Sequence, residues 1–92
     1  MYFITTIDSK RDDSRRVGYF KDFEEAEIRV LENAMDICET CYDYAVIENI
    51  PEGLYQYDQN AKWYKWNDLE EKYEKIESRP EKYKNTVGFA IG

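Results

Sequence analysis

Apolar and polar positions change period twice along this chain. Residues 2–8 alternate Tyr2, Ile4 and Thr6 against Phe3, Thr5 and Ile7, which is the two-residue period of a β-strand. Both sets contain bulky groups, so the strand is expected to be central and at least partly covered on both faces. The next stretch, SKRDDSRR at 9–16, is polar and aperiodic and predicts an exposed hairpin loop. Val17-Gly18-Tyr19-Phe20 reads as a short second strand.

The period then switches to that of a helix. Phe23, Ala26, Val30, Ala34, Ile37 and Cys41 recur at steps of three and four, and Ile28, Leu31, Met35 and Cys38 widen the stripe. This predicts an amphipathic helix over about 22–40. Asp22 suits an N-cap, Glu25 stands three residues on as a capping-box acid, and Glu24 and Glu25 complement the helix dipole.

From residue 44 the pattern returns to strand. The run YAVIENI at 44–50 is β-branched and apolar, and Pro51-Glu52-Gly53 ends it in a turn. Residues 54–58 read as an extended segment. Lys62-Trp63-Tyr64-Lys65-Trp66 reads as a strand, because three large aromatics this close together suit a pleated surface. For 68–77 two readings stand. In one, Leu69, Tyr73 and Ile76 mark a helix face. In the other, 68–72 is a turn and 73–77 a strand paired with 62–66, and the hairpin is favoured. Pro80 could open one helical turn over 80–84, and 86–91 reads as a last strand. The whole predicts one α+β domain over 1–92. It is a two-layer sandwich with one amphipathic helix on a mainly antiparallel sheet, in the order β-β-α-β-β-β with a possible further strand.

Charge and aromatic content sharpen this. Twenty Asp and Glu against thirteen Lys and Arg give a net charge of −7, and nine Tyr, two Trp and four Phe make 16% of the chain aromatic. The acidic balance disfavours direct nucleic-acid binding, which calls for a basic stripe. It suits a partner with a basic surface. No basic and apolar leader opens the sequence and no apolar run reaches membrane-spanning length, so a cytoplasmic, membrane-free protein is expected.

Candidate chemistry is sparse. There is no histidine, no phosphate-binding glycine loop and no nucleophile motif, which argues against an enzyme and leaves no expected cofactor. Cys38-Glu39-Thr40-Cys41 has the CxxC form, but it lies at the C-terminal end of the expected helix, where the dipole raises a thiol pKa. Two sulfurs do not complete a zinc site unless two copies share one. Both cysteines are therefore expected to pack, with no metal bound.

The remaining candidates are surface groups. Tyr55, Tyr57, Trp63, Tyr64 and Trp66 stand among Asp68, Glu70, Glu71 and Glu74. Alternation puts Trp63 on one face and Tyr64 and Trp66 on the other. With only one face covered by a helix, some rings must be exposed as interface anchors or must cover the open face. Lys10, Arg11, Arg15 and Arg16 form a basic loop that could touch an anionic partner.

In outline the chain resembles the small α/β proteins of unknown function carried by bacterial prophages and other mobile elements. The resemblance rests on MYFITTID at 1–8, GYFKDFEEAE at 18–27 and the ending WYKWN…YEKIESRPEKYKNTVGFAIG. It favours the hairpin at 63–77 and brings no functional residues with it. In size and charge such proteins are similar to inhibitors of bacterial immunity such as anti-CRISPR proteins. The resulting expectation is a protein-binding inhibitor that occludes a basic nucleic-acid-binding surface. The alternatives are a self-associating protein, including a homodimer, and a binder of a nucleotide-like small ligand.

Overall fold

Among the described residues, five strands pair into one antiparallel sheet in the order β2-β1-β3-β4-β5, with β1 Tyr2–Asp8, β2 Asp13–Phe20, β3 Tyr44–Asn49, β4 Lys62–Asn67 and β5 Lys72–Ile76. A computed structural model describes residues 1–53, 58, 60–86 and 88–90. Among these, the one α-helix is α1, Phe23–Leu31, and short 3-10 turns occupy Ala34–Asp36 and Glu81–Tyr83. The class is α+β. No helix among the described residues is long and apolar enough to cross a membrane.

Strand alternation decides the two faces. Ile4, Ala45, Ile47, Tyr64 and Tyr73 point to one side, where Ala26 and Val30 of α1 meet them in a buried cluster. Ile7, Val46 and Trp63 point to the other. The expected two layers left that second face open, but residues from the C-terminal segment close it. Tyr83 and Phe89 pack there with Tyr44, Ala61 and Ile76 around Trp63. Trp63 stacks on Tyr83 at 5.8 Å and 15°, and takes the Phe89 ring edge-on at 5.3 Å and 84°. Offset stacks and perpendicular edges are the favourable aromatic geometries.

The helix is shorter than the 22–40 its apolar stripe predicts. It ends after Leu31 because Asn33 turns left-handed at φ 49°, a conformation asparagine tolerates better than most residues. The Asn33 side chain then organises the next turn, accepting the Cys38 N–H at 3.0 Å and donating to Asp36 at 3.1 Å. Met35, Asp36, Glu39 and Thr40 also take positive φ, so the stripe beyond residue 31 does not continue one helical face. At the other end the capping box does not form. Asp22 is extended and makes no side-chain cap, while Glu25 pairs forward with Arg29 at 2.9 Å.

The second strand is longer than 17–20, and the connection shorter than 9–16. Ser14, Arg15 and Arg16 pair with Ile7, Thr6 and Thr5, and the register shifts between Ile4 and Thr5. A polar strand is stable here because β2 is an edge, where charge and irregular pairing are ordinary. The hairpin reading of 68–77 holds, since β4 and β5 pair directly from Trp63↔Ile76 to Asn67↔Lys72. The expected last strand at 86–91 does not form among its described residues, 86 and 88–90. The Phe89 and Ala90 N–H groups turn instead to the Glu48 carboxylate, at 3.2 and 3.0 Å. Residues 54–57, expected to be extended, lie outside the described residues, and Asp58 is not in a strand.

Candidate functional site

The β4–β5 turn carries three of the four acidic candidates on a fixed loop. Asn67 holds it from inside, its Oδ1 accepting the N–H groups of Leu69 at 2.9 Å and Glu70 at 3.1 Å. Its Nδ2 donates to Glu74 at 3.0 Å, and Glu71 takes φ 54° to close the turn. Asp68, Glu70 and Glu71 are exposed, and Leu69 between them is 95% exposed. Glu74 is exposed on β5, tied back to Asn67. Asp68 and Trp66 also line a cleft of about 450 Å³ beside the turn, with Lys10, Arg11 and Lys65.

The aromatic candidates do not join this surface as expected. Trp63 is 3% exposed and Tyr64 is fully buried, so neither can be an interface anchor. Both faces of the sheet are covered, and burial of the rings is the result. Tyr64 sits under α1 and donates its hydroxyl to Glu27 at 2.5 Å; burial first, and then this carboxylate, push its pKa well above the usual phenol value. Trp66 is half-buried, edge-on to Tyr73 at 5.1 Å. Tyr55 and Tyr57 lie outside the described residues.

Tyr73 is a core residue that locks the turn after the helix to the sheet. Its hydroxyl donates to the Tyr42 carbonyl at 2.6 Å, and burial is the main cause of its strongly raised pKa. Tyr73→Phe leaves that carbonyl without this donor, and the expected cost is about 1–2 kcal/mol in urea melts. An unchanged midpoint would mean that solvent replaces the bond at no cost.

The four basic candidates do not form one patch. Arg11 pairs with Asp8 at 3.3 Å, and the Lys10 N–H also bonds to Asp8. Arg15 lies on the helix side, paired with Glu39 at 2.7 Å and over the Tyr42 ring at 4.7 Å. Arg16 lies on the opposite side, over the Phe3 ring, and donates to the Ala90 carbonyl at 3.0 Å. Adjacent strand residues point to opposite faces, which separates Arg15 from Arg16.

Both cysteines are free thiols; Cys38 is buried and Cys41 half-buried. Cys38 packs from the turn after α1 rather than from the helix, and its pKa is raised chiefly by burial. No three Cys, Asp or Glu among the described residues form a group that could hold a metal ion.

Two groups escaped the sequence reading. Leu69 served there as a helix-face position in one reading and fell in the 68–72 turn of the favoured one, but it was not singled out as a candidate; a lone leucine inside Asp-Leu-Glu-Glu between two strand patterns signals an exposed turn. Glu48 stood as one polar residue in an apolar strand, yet it is 1% exposed and holds the C-terminal segment. No protein-family profile, curated protein or solved structure matches this chain.

Proposed function

We propose that this chain is a non-enzymatic protein-binding module that inserts its β4–β5 turn into a basic, nucleic-acid-binding groove of another protein and inhibits it by occupancy. The observation that supports this best is at 68–71, where a leucine 95% exposed stands among three exposed carboxylates on a turn held by Asn67. Carboxylates steer approach to a basic surface, and an exposed apolar side chain adds desolvated contact at its centre. The turn is already ordered by its own hydrogen bonds, so less conformational entropy is lost on docking. The partner class is a nucleic-acid-binding effector of a bacterial defence complex. This chain would act on it in the cytoplasm as an inhibitor carried by a phage or mobile element, in keeping with the resemblance noted above.

The test is capture of partners from bacterial lysate on the tagged chain, alongside a variant carrying Asp68→Asn, Glu70→Gln and Glu71→Gln. Wild type is expected to retain a stoichiometric nucleic-acid-binding protein at about 0.1 M salt and to release it near 1 M, where the screening length falls from about 10 Å to 3 Å. The variant should bind at least about tenfold more weakly, and Leu69→Ala should lose affinity without losing its salt dependence. Equal capture by wild type and the triple variant would overturn the proposal.

A further inference from the structure

The early end of α1 changes where the two cysteines stand. The apolar stripe put Cys38-Glu39-Thr40-Cys41 on the last turn of a helix, but α1 stops at Leu31 and these four residues make a tight turn of their own. The Cys41 N–H donates to the Cys38 carbonyl at 3.1 Å, and the Tyr42 N–H donates to the same oxygen at 2.9 Å. A turn closed from residue i to i+3 brings its end Cα atoms within about 7 Å. A disulfide spans about 4.4–6.8 Å between Cα atoms.

The Cys38 sulfur lies against this closure. It donates to the Tyr42 carbonyl at 3.5 Å. Burial raises its pKa, and the Thr40 N–H works against that rise. Its backbone neighbours therefore stand on either side of Cys41 in the chain. Both cysteines line one cleft of about 450 Å³, Cys41 half-buried and Cys38 buried.

The turn is also an unfavourable one for its residues. Glu39 and Thr40 take positive φ, 46° and 65°, as both central residues of a type I′ turn do, and such positions ordinarily hold Gly, Asn or Asp. A β-branched threonine there is an outlier. Backbone held in this way persists only where the surroundings over-determine it, and it clusters at functional sites.

We infer that Cys38 and Cys41 are a reversible disulfide site that exchanges with small disulfides such as glutathione disulfide. Cys41, the more exposed thiol, loses its proton and attacks one sulfur of the small disulfide, forming a mixed disulfide and expelling one small thiolate. Cys38 then loses its proton and attacks the Cys41 sulfur, which closes the Cys38–Cys41 bond and expels the second thiolate. The cysteine pair gives up two electrons, the small disulfide gains them, and the two protons leave on the two small thiols. Burial keeps Cys38 from meeting the small disulfide directly, so exchange starts at Cys41. None of this depends on the partner proposed for the acidic turn.

The test incubates the reduced full chain in mixtures of glutathione and glutathione disulfide, quenches with acid and reads intact mass. The expected product has lost the mass of two hydrogens, carries no glutathione, and returns to the dithiol as the mixture is made more reducing. Cys38→Ser cannot close the ring and should hold at least about tenfold more glutathione adduct than wild type at the same mixture. The same titration in concentrated urea gives the effective concentration of one thiol at the other in the unfolded chain, and the folded chain should exceed it at least about tenfold. A wild-type chain that stays reduced in glutathione disulfide alone, or that stops at the mixed disulfide, overturns the inference. So does an effective concentration no greater in the folded chain than in urea, because the fold would then not hold the pair together.

Discussion

Trp63→Ala is expected to cost about 3–5 kcal/mol, the usual range for removing a large buried aromatic. A 92-residue domain has only about 5–14 kcal/mol in total, at roughly 0.05–0.15 kcal/mol per residue, so this variant should be close to unfolding at 25 °C. The reason lies in what the ring supports. Tyr83 stacks on it, Phe89 and Tyr44 meet it edge-on, and Arg79 lies over it. Together with the Glu48 and Arg16 hydrogen bonds, these contacts hold the C-terminal segment to the sheet. Trp63→Phe keeps part of the stack and should cost clearly less, while Leu69→Ala at the exposed turn should stay within about 0.5 kcal/mol of wild type. Urea melts followed by far-ultraviolet circular dichroism separate the three. If Trp63→Ala proved as stable as Leu69→Ala, the second face of the sheet would not be a core.

Glu48 gives the second large effect. Its carboxylate is 1% exposed and accepts the Phe89 and Ala90 N–H groups, so Glu48→Ala leaves two donors unmatched beneath the segment. The expected loss is about 2–4 kcal/mol, taking about 1–3 kcal/mol for each unsatisfied buried group and allowing for water entry. Hydrogen exchange at Phe89 and Ala90 should accelerate more than exchange in α1. Unchanged protection at both amides would show that Glu48 does not hold the segment.

The same residue sets a pH dependence. Burial raises the Glu48 pKa, outweighing the two backbone donors that favour its charged form, with Asp58 adding to the rise and Arg79 opposing it. The folded state therefore keeps this proton to higher pH than the unfolded chain does. The contribution of Glu48 to stability is fully present below the unfolded carboxylate value of about 4.3, and it declines as pH rises through the folded pKa. Glu48→Gln removes the titration, and its neutral amide can still accept one of the N–H groups. Relative to wild type, the Gln variant should therefore gain stability as pH rises from about 4 to 7. A constant difference across that range would mean that Glu48 titrates alike in both states.

Local patterns carried much of the fold. Alternation in 2–8, 44–50 and 62–66 marked three strands, while 68–77 admitted both a helix and a hairpin, with the hairpin favoured. Each of these signals is local, because a strand needs only a period of two and a turn needs only residues that tolerate its dihedrals. The candidate site was less legible. Asp68, Glu70 and Glu71 are on the surface, but rings grouped with them by sequence proximity, Trp63 and Tyr64, are core. Proximity along a strand does not mean a shared face, and alternation cannot reveal what covers a face.

By itself, then, the sequence determined the α+β class, the start of the helix, the strand periods and the acidic, aromatic character of the hairpin, since each depends on neighbours within a few residues. Tertiary structure alone decided that the second sheet face is closed and that Glu48 serves the backbone of residues 89 and 90. Glu48 and Phe89 are 41 positions apart, and no local preference encodes such a contact. It forms because an aromatic sheet face left in water would forfeit its burial energy, at about 25 cal/mol per Å², and the C-terminal segment supplies the rings that cover it.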